Sequence, residues 1–216
     1  MRIGLLGGSF NPIHNAHLRI AEGAQDACLL DRVIFIPAAD PPHKLLAADV
    51  SFENRSKMVC MAIAGRPTFE MSTIEAERSG KSYSIETIGT LRERLAGDEL
   101  FFIVGGDSFL EIGSWYRYAE IFCLCNLIVA ERPGFPIVNS VNALPDAVRG
   151  TFRLNVETGC LTHETGHTIS FLQGSPMELS STEIRRLSAG GSDVTRYVPP
   201  DVATYISKQR IYSECH

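Results

Sequence analysis

Two glycines and two histidines near the start of the chain form its most informative chemical grouping. An apolar run leads into Gly7, Gly8 and Ser9, and His14 and His17 follow at the start of a helical pattern. Glycines let the main chain approach a polyanion closely, and a helix N-terminus offers unpaired N–H groups and the positive end of its dipole. Imidazoles add hydrogen-bond donors. The grouping therefore predicts a phosphate-binding turn.

A lysine is placed to add positive charge to the same ligand. Lys44 closes the proline-rich segment 36–44, which follows the second apolar run. The prolines stiffen this segment and keep it from becoming helical. We therefore expect the loop to present Lys44 to a phosphate as a cation.

A third phosphate-directed segment lies late in the chain. Ser180, Ser181 and Thr182 precede Arg185 at the start of a short helical pattern. Hydroxyl groups at a helix N-terminus can cap free N–H groups and contact phosphate, and an arginine one turn later can clamp phosphate oxygens. A capping box between Ser180 and Glu183 explains those two residues without a ligand. It does not explain Arg185.

One segment matches a zinc-protease pattern in residue types and spacing, but not in its structural context. His163, Glu164 and His167 have the spacing H-E-x-x-H, which binds zinc only where both histidines share one face of a helix. The threonines, glycine and isoleucine around them favour a turn and a strand instead. We therefore predict no zinc site there, and Cys123 and Cys125 are interpreted as apolar-segment thiols without metal.

The bulk composition is that of an ordinary globular protein. The chain has 216 residues, 44% of them hydrophobic and 21% charged, with a net charge of −5. An acidic chain lacks the broad basic surface needed for binding nucleic acid without sequence preference. No apolar run reaches the ~20 residues needed to cross a bilayer, and the chain opens directly on a strand pattern. We expect a cytoplasmic protein with scattered, reduced cysteines; the sequence leaves monomer and homo-oligomer open.

Alternating strand-like and helical segments predict an α/β fold. Near-continuous apolar runs, such as residues 99–104, indicate strands covered on both faces, as in a Rossmann-like doubly wound parallel sheet with helices on both faces. We expect one domain over residues 1–216, with loops and short strands at 132–168 and a C-terminal helical segment at 180–212. The predicted strands are residues 2–6, 32–36, 99–104 and 126–130, and the predicted helices are residues 15–27, 51–64, 84–96, 180–189 and 200–211.

These segments together resemble one enzyme family. Residues 7–17 are similar to the G-[ST]-F-[DN]-P-x-H-x-G-H signature of the nucleotidylyltransferase superfamily, and most similar to the form found in bacterial nicotinate-mononucleotide adenylyltransferases. Residues 36–44, 82–87 and 179–185 resemble the I-P-x-x-x-P-P-H-K, S-Y-T-x-D-T and I-S-S-T-x-I-R segments of the same family. The chain departs from the family pattern in carrying Ala16 for glycine and Glu86 for aspartate.

The resemblance implies adenylyl transfer from ATP to nicotinate mononucleotide, which yields deamido-NAD and pyrophosphate in NAD biosynthesis. Mg²⁺ is expected to enter with ATP, held through phosphate oxygens and water rather than by a protein metal site. The expected catalytic residues are His14, His17, Lys44 and Arg185. The residues expected to bind ATP are Gly7, Gly8, Ser9, Phe10, His14, His17, Gly105, Asp107, Ser180, Ser181, Thr182 and Arg185. The residues expected to bind the mononucleotide are Lys44, Tyr83, Glu86, Thr87, Trp115 and Tyr116.

Three other functions are compatible with parts of this pattern. An adenylyltransferase of the same fold that acts on phosphopantetheine or nicotinamide mononucleotide shares the glycine turn and the histidine pair. The segment 82–87, Trp115 and the Pro-Pro-His-Lys loop favour the nicotinate enzyme. A nucleotide-binding regulator without turnover, and a zinc hydrolase at residues 163–167, are the remaining alternatives.

Overall fold

A mostly parallel β-sheet forms the centre of the computed structural model, which describes residues 1–41, 50–131, 141–172 and 180–213. The strands within these ranges are β1 (Arg2–Gly8), β2 (Arg32–Pro37), β3 (Phe69–Met71), β4 (Glu99–Gly105), β5 (Asn126–Ala130), β6 (Phe152–Leu154), β7 (Leu161–His163) and β8 (Thr168–Leu172). They pair in the order β3-β2-β1-β4-β5-β8-β7-β6. The first six strands in this order are parallel to one another, and β7 and β6 continue the sheet in antiparallel fashion.

Helices connect the parallel strands. The α-helices are α1 (Asn15–Cys28), α2 (Phe52–Ile63), α3 (Ser84–Arg94), α4 (Gly106–Leu110), α5 (Tyr118–Leu124), α6 (Asp146–Arg149), α7 (Ser181–Ala189) and α8 (Pro200–Lys208). Short 3₁₀ turns occur at Ile74–Glu77, Ile112–Ser114 and Val141–Ala143. Within the described ranges, no helix is both long enough and apolar enough to cross a membrane.

Both faces of the sheet are covered, as the apolar strand patterns predict. In β2, Val33 and Phe35 pack into a core shared with α1, α2, α7 and α8. Ile34 and Ile36 point to the opposite face and pack with α3 and α5. Because successive side chains of a strand alternate between faces, a strand buried on both sides must be apolar throughout. The predicted doubly wound α/β class is confirmed.

The strand order places a crevice beside β1. The chain builds outward from β1 through β2 to β3, then returns to place β4 on the other side of β1. Leu6 of β1 pairs with Ile103 of β4, so the carboxyl ends of these two parallel strands lie side by side. In open α/β sheets, ligands bind at such a point, where the order of strands reverses. Gly8 and Gly105 end the two strands at this position.

Short strands lie in the described part of the segment 132–168. The antiparallel pair β6 and β7 lies there, and β8, which begins at Thr168, joins β5 as a parallel strand. The sequence prediction omits β3, a strand of three residues. Such a short segment cannot display an alternating pattern long enough to be recognised.

The zinc-like pattern lies on a hairpin, as its composition predicts. His163 ends β7, and its N–H donates to the carbonyl of His167 at 2.8 Å across the turn into β8. His163 Nδ1 and Thr165 Oγ1 are 2.8 Å apart. The two histidines therefore do not occupy successive turns of one helix face. Cys125 is buried, and burial raises the pKa of its thiol to about 12, which suits a core residue.

Candidate active site

The glycine-led turn after β1 is shaped by the ring of Phe10. This residue is 1% exposed, has a φ of 45°, and packs against Phe35 with ring centroids 6.0 Å apart. The ring folds back over Gly8, where an added Cβ would lie 3.2 Å from it. The Gly8 carbonyl also accepts a hydrogen bond from the Ala38 N–H at 2.8 Å. Glycine at position 8 therefore lets the turn close tightly at the crevice.

Side chains from distant helices hold three carbonyl groups of this turn. The bonds run from Arg55 Nη1 to Ser9 O at 2.7 Å, from Arg185 Nη1 to Asn11 O at 2.7 Å, and from Ser181 Oγ to Pro12 O at 3.1 Å. The C=O and N–H of a trans peptide point in opposite directions. Fixing the Ser9 carbonyl on the protein side therefore turns the Phe10 N–H to the other side, where a phosphate can be bound.

The two histidines at the start of α1 form a stacked pair. Their ring centroids are 3.8 Å apart and the planes are inclined by 28°. His14 is the N-cap residue of α1, and its backbone N–H donates to Nδ1 of His17 at 3.2 Å, so the His17 side chain caps this end of the helix. Because Nδ1 of His17 accepts, the hydrogen of the neutral ring is on Nε2, which makes Nε2 a donor.

The start of α7 meets the glycine-led turn. Ser180 Oγ accepts from the Glu183 N–H at 3.2 Å, which caps the helix as predicted. Arg185 Nη2 donates to Thr182 Oγ1 at 2.9 Å while Nη1 bonds to the turn. The hydrogen bond from Arg186 holds the pKa of the Glu183 carboxyl below its usual range. Glu183 is thus explained by the helix itself, whereas Arg185 joins two segments expected to bind phosphate.

The segment after β4 lies across the crevice from this turn. Gly105 ends β4 and is the capping residue of α4, and Asp107 lies in the first turn of that helix. Because β4 is the neighbour of β1, both segments border the same crevice. The expected contact of Asp107 with ATP stays a prediction.

The loop after β2 is tied to the start of α3. The N–H groups of Ala39 and Asp40 both donate to Ser82 Oγ, at 3.1 and 3.0 Å. Two of the predicted segments, 36–44 and 82–87, are therefore in direct contact. Lys44 lies outside the described residues, so its predicted contact with phosphate stays a prediction.

Thr87 is an interior residue whose hydroxyl hydrogen is already used in a bond within the protein. Its side chain is buried, and its hydroxyl donates to Glu75 Oε1 at 2.8 Å while accepting from Arg78 Nη2 at 2.7 Å. A hydroxyl has one hydrogen to give. Thr87 therefore supports the start of α3 from inside, and any donation to a ligand requires its bond to Glu75 to be exchanged. Glu86, one residue earlier, is exposed on the first turn of α3.

Aromatic side chains line the neighbouring surface. The rings of Tyr83 and Tyr116 have centroids 4.6 Å apart, and 49% of Tyr116 is exposed. Trp115 is half-buried with its ring edge-on to Phe102 at 6.2 Å. The Phe102 contact orients the indole, and the part left accessible offers a flat surface for stacking.

Three buried residues of the site escape sequence reasoning. Arg55, Glu75 and Tyr212 each bond to a predicted segment, yet none belongs to a recognisable motif. Arg55 lies within α2 and is 0% exposed, and burial lowers the pKa of its guanidinium. A charged residue in a helix normally indicates a solvated face, so the sequence alone gives no signal for it.

Comparison with known proteins agrees with this geometry. The model of the cytidylyltransferase-like family matches residues 5–187. The chain belongs to the cytidylyltransferase-like family. A protein of Pelobacter propionicus named probable nicotinate-nucleotide adenylyltransferase is 56% identical over 215 residues, with all of both chains covered. A protein of Geobacter metallireducens with the same name is 50% identical, with 99% of each chain covered. The resemblance predicted from the sequence is thereby confirmed.

Solved structures of other proteins share the fold. The Plasmodium falciparum nicotinic acid mononucleotide adenylyltransferase complexed with NaAD superposes with a TM-score of 0.75 at 19% identity, covering 98% of this chain and 97% of the other. The same enzyme complexed with APC gives a TM-score of 0.73 at 18% identity, with 98% and 96% covered. At this level of identity the likeness supports the Rossmann-like architecture of the family member described here.

Proposed function

We propose that this protein transfers the adenylyl group of ATP to nicotinate mononucleotide, giving deamido-NAD and pyrophosphate. One observation carries the proposal: Arg185 of α7 bonds to Asn11 in the turn that also leads to the stacked histidines, at the point where the strand order reverses. Cationic and N–H donors from segments 174 residues apart in sequence thus meet where a nucleotide binds in this fold. The relatives' shared name supports the choice of acceptor.

The chemistry requires positioning rather than a general base. The attacking oxygen of the mononucleotide phosphate is already anionic, and it displaces pyrophosphate from the α-phosphorus of ATP in line. The protein must hold both nucleotides in register and stabilise the charge that moves onto the leaving group. His17 contributes its Nε2–H at the α-phosphate, while Arg185 and Lys44 neutralise the departing pyrophosphate.

A divalent cation fits this arrangement as part of the ATP substrate. ATP-dependent nucleotidyl transfer generally requires one, and Mg²⁺ is the ion that we propose. Mg²⁺ prefers phosphate oxygens and water over a closed cage of side chains. Among the described residues, no group of three or more histidine, cysteine, aspartate or glutamate side chains is arranged to hold a metal. We propose that the ion is held by ATP and water, and it would supply charge neutralisation between the phosphates.

The mononucleotide would occupy the slot between α3 and the segment after α4. Trp115 and the Tyr83–Tyr116 pair offer flat surfaces for the pyridine ring. Glu86 is exposed on the first turn of α3, next in sequence to Thr87, whose buried bond to Glu75 supports this end of the helix. We further propose that the acid form is preferred over the amide, because the relatives are named for the acid substrate.

We also propose the setting in which this reaction occurs. Residues 1–216 act as one nucleotidylyltransferase domain in the cytoplasm. The partners are the two nucleotides, with neither nucleic acid nor a membrane involved, and the reaction would serve in NAD biosynthesis.

An acceptor panel tests the proposal. The purified protein is incubated with ATP, Mg²⁺ and one acceptor at a time: nicotinate mononucleotide, nicotinamide mononucleotide or phosphopantetheine. Pyrophosphate release is followed, and the product is identified by mass. We expect the highest kcat/KM with nicotinate mononucleotide. Equal values for acid and amide would overturn the preference, and no product with any acceptor would identify a binding protein without turnover.

A further inference from the structure

The last described turn of the chain reaches back to the first loop. The hydroxyl of Tyr212 donates to Asn11 Oδ1 at 2.7 Å, across 201 residues of sequence. Both residues are buried, with 8% of Tyr212 and 2% of Asn11 exposed. The main-chain carbonyl of the same asparagine accepts from Arg185. Asn11 is thus held by its side chain and its backbone at once, from two different parts of the C-terminal segment.

The backbone adopts unfavourable conformations to bring Tyr212 to this position. After α8 ends, Arg210 has a φ of 51° and Tyr212 a φ of 71°, both in the left-handed region that favours glycine. The segment is fixed by the Ile211 N–H, which donates to the Ile206 carbonyl at 3.0 Å, and by the buried Ile211 side chain. Non-glycine residues persist in this region only where the surrounding structure imposes it.

Packing in the core explains the ring of Tyr212 but does not explain its hydroxyl group. The ring of Tyr212 packs within the apolar core shared by α1, α2 and α8, where phenylalanine would fit equally well. The hydroxyl supplies a donor to the buried oxygen of Asn11, which would otherwise lose this bond away from water. Burial raises the pKa of Tyr212, so the phenol stays protonated and remains a donor at neutral pH.

Asn11 lies between the parts of the turn that face the ligand. It follows Ser9 and Phe10 and precedes His14, the N-cap residue of α1, whose ring stacks on His17. A shift of Asn11 would therefore displace both the N–H groups of the turn and the histidine pair. Small displacements of groups that position a reacting phosphate reduce turnover strongly, because the reaction depends on alignment.

We propose that Tyr212 is a positioning residue for adenylyl transfer: through Asn11 it fixes the turn that presents the N–H groups and histidines to the triphosphate. This positioning role rests on the proposed function. It concerns how the turn is held in place rather than which substrates the site binds. Tyr212 itself touches neither nucleotide in this scheme. Its removal should therefore lower kcat with little change in KM.

The chain supplies a matched control in Tyr205. Its hydroxyl donates to Asn54 Oδ1 at 2.8 Å, which joins α8 to α2 on the same side of the sheet. Tyr205→Phe and Tyr212→Phe therefore remove the same kind of tyrosine–asparagine bond, but only one of them ends on the glycine-led turn. If loosened packing alone lowered the rate of catalysis, both variants would show the effect.

The test compares both variants with the unaltered protein in kcat, KM for each substrate, Tm, and hydrogen exchange of residues 9–14 measured by mass spectrometry. We expect Tyr212→Phe to lower kcat about tenfold or more with KM nearly unchanged, and to speed exchange in that segment. Tyr205→Phe should retain the kcat and the slow exchange of the unaltered protein. Equal kcat and equal exchange in the two variants would overturn the proposal, whereas an inactive unaltered protein would overturn the proposed function instead.

A second variant tests the route through Asn11. In an Asn11→Ala background, the Tyr212 hydroxyl has lost its acceptor, so adding Tyr212→Phe should leave kcat unchanged. If the two substitutions instead multiply in their effects on kcat, Tyr212 acts by another route and the proposal is wrong.

Discussion

His17 combines a structural and a chemical task on two different ring nitrogens, and substitutions can separate them. Nδ1 accepts from the His14 N–H at 3.2 Å, and Nε2 consequently carries the hydrogen. His17→Asn places an amide oxygen close to the position of Nδ1, so it retains the cap and loses the distal donor. His17→Ala loses both.

The expected magnitudes follow from these two contacts. Loss of a helix cap costs about 0.5–2 kcal/mol of unfolding free energy, so His17→Ala should be destabilised by this amount. Loss of one preorganised donor to a transition state lowers turnover roughly 10²–10³-fold, so His17→Ala and His17→Asn should show that loss. His17→Asn should therefore keep its stability while losing turnover.

Steady-state kinetics with ATP and nicotinate mononucleotide give kcat, and urea unfolding gives stability. Both variants should lose turnover, whereas only His17→Ala should lose stability. Turnover of His17→Ala equal to that of the unaltered protein would show that His17 is not at the reacting phosphate. Unaltered turnover, or a loss of stability equal to that of His17→Ala, in the asparagine variant would refute the assignment of separate roles to the two nitrogens.

Three further predictions concern contacts around the site. Arg185→Lys cannot bond to Asn11 and Thr182 together, so we expect kcat/KM for ATP to fall about 10–100-fold, which an ATP titration measures. Because the pKa of Tyr212 is raised above its ordinary value of 10.0, the unfolded chain releases this proton first. Unfolding free energy should therefore fall as pH rises above 10, less steeply in Tyr212→Phe, as denaturant melts from pH 9 upward would show. Glu75→Gln weakens a buried acceptor of Thr87 and should lower unfolding free energy by about 1–3 kcal/mol in urea titrations.

Much of the fold could be predicted because its elements are long and strongly patterned. The apolar run of β4 and the caps of α1 and α7 are local signals, and the structure begins or ends these elements within a few residues of the predicted positions. The three-residue β3 has no such signal. The parallel pairing of β8 with β5 depends on how the chain returns after the β6–β7 hairpin, which no local pattern encodes.

The residues of the site also fall into those that the sequence predicts and those that it does not. Segments that bind phosphate are contiguous in sequence, so the glycine-led turn and the start of α7 could be predicted, and the structure brings them together through Arg185. The residues that fix these segments through hydrogen bonds from the protein interior are single positions in otherwise ordinary helices or turns. Arg55 and Tyr212 acquire their meaning only from tertiary contact, since each bonds to the turn from a distant part of the chain.

The role assigned to Thr87 shows how a contact can refine a sequence prediction. The resemblance assigns this residue to recognition of the mononucleotide, whereas its hydroxyl bonds to Glu75 and Arg78 inside the protein. A buried threonine of this kind can affect the mononucleotide by fixing the start of α3, without touching it. Sequence patterns identify such a position, but only its hydrogen bonds reveal which partner it serves.

A crystal structure with a non-hydrolysable ATP analogue and nicotinate mononucleotide tests the central claim most directly. The account predicts the α-phosphate within hydrogen-bond distance, about 3 Å, of Nε2 of His17, with Arg185 at the terminal phosphates and the acceptor phosphate in line on the opposite side. A triphosphate bound away from the turn between Gly8 and His14 would contradict it.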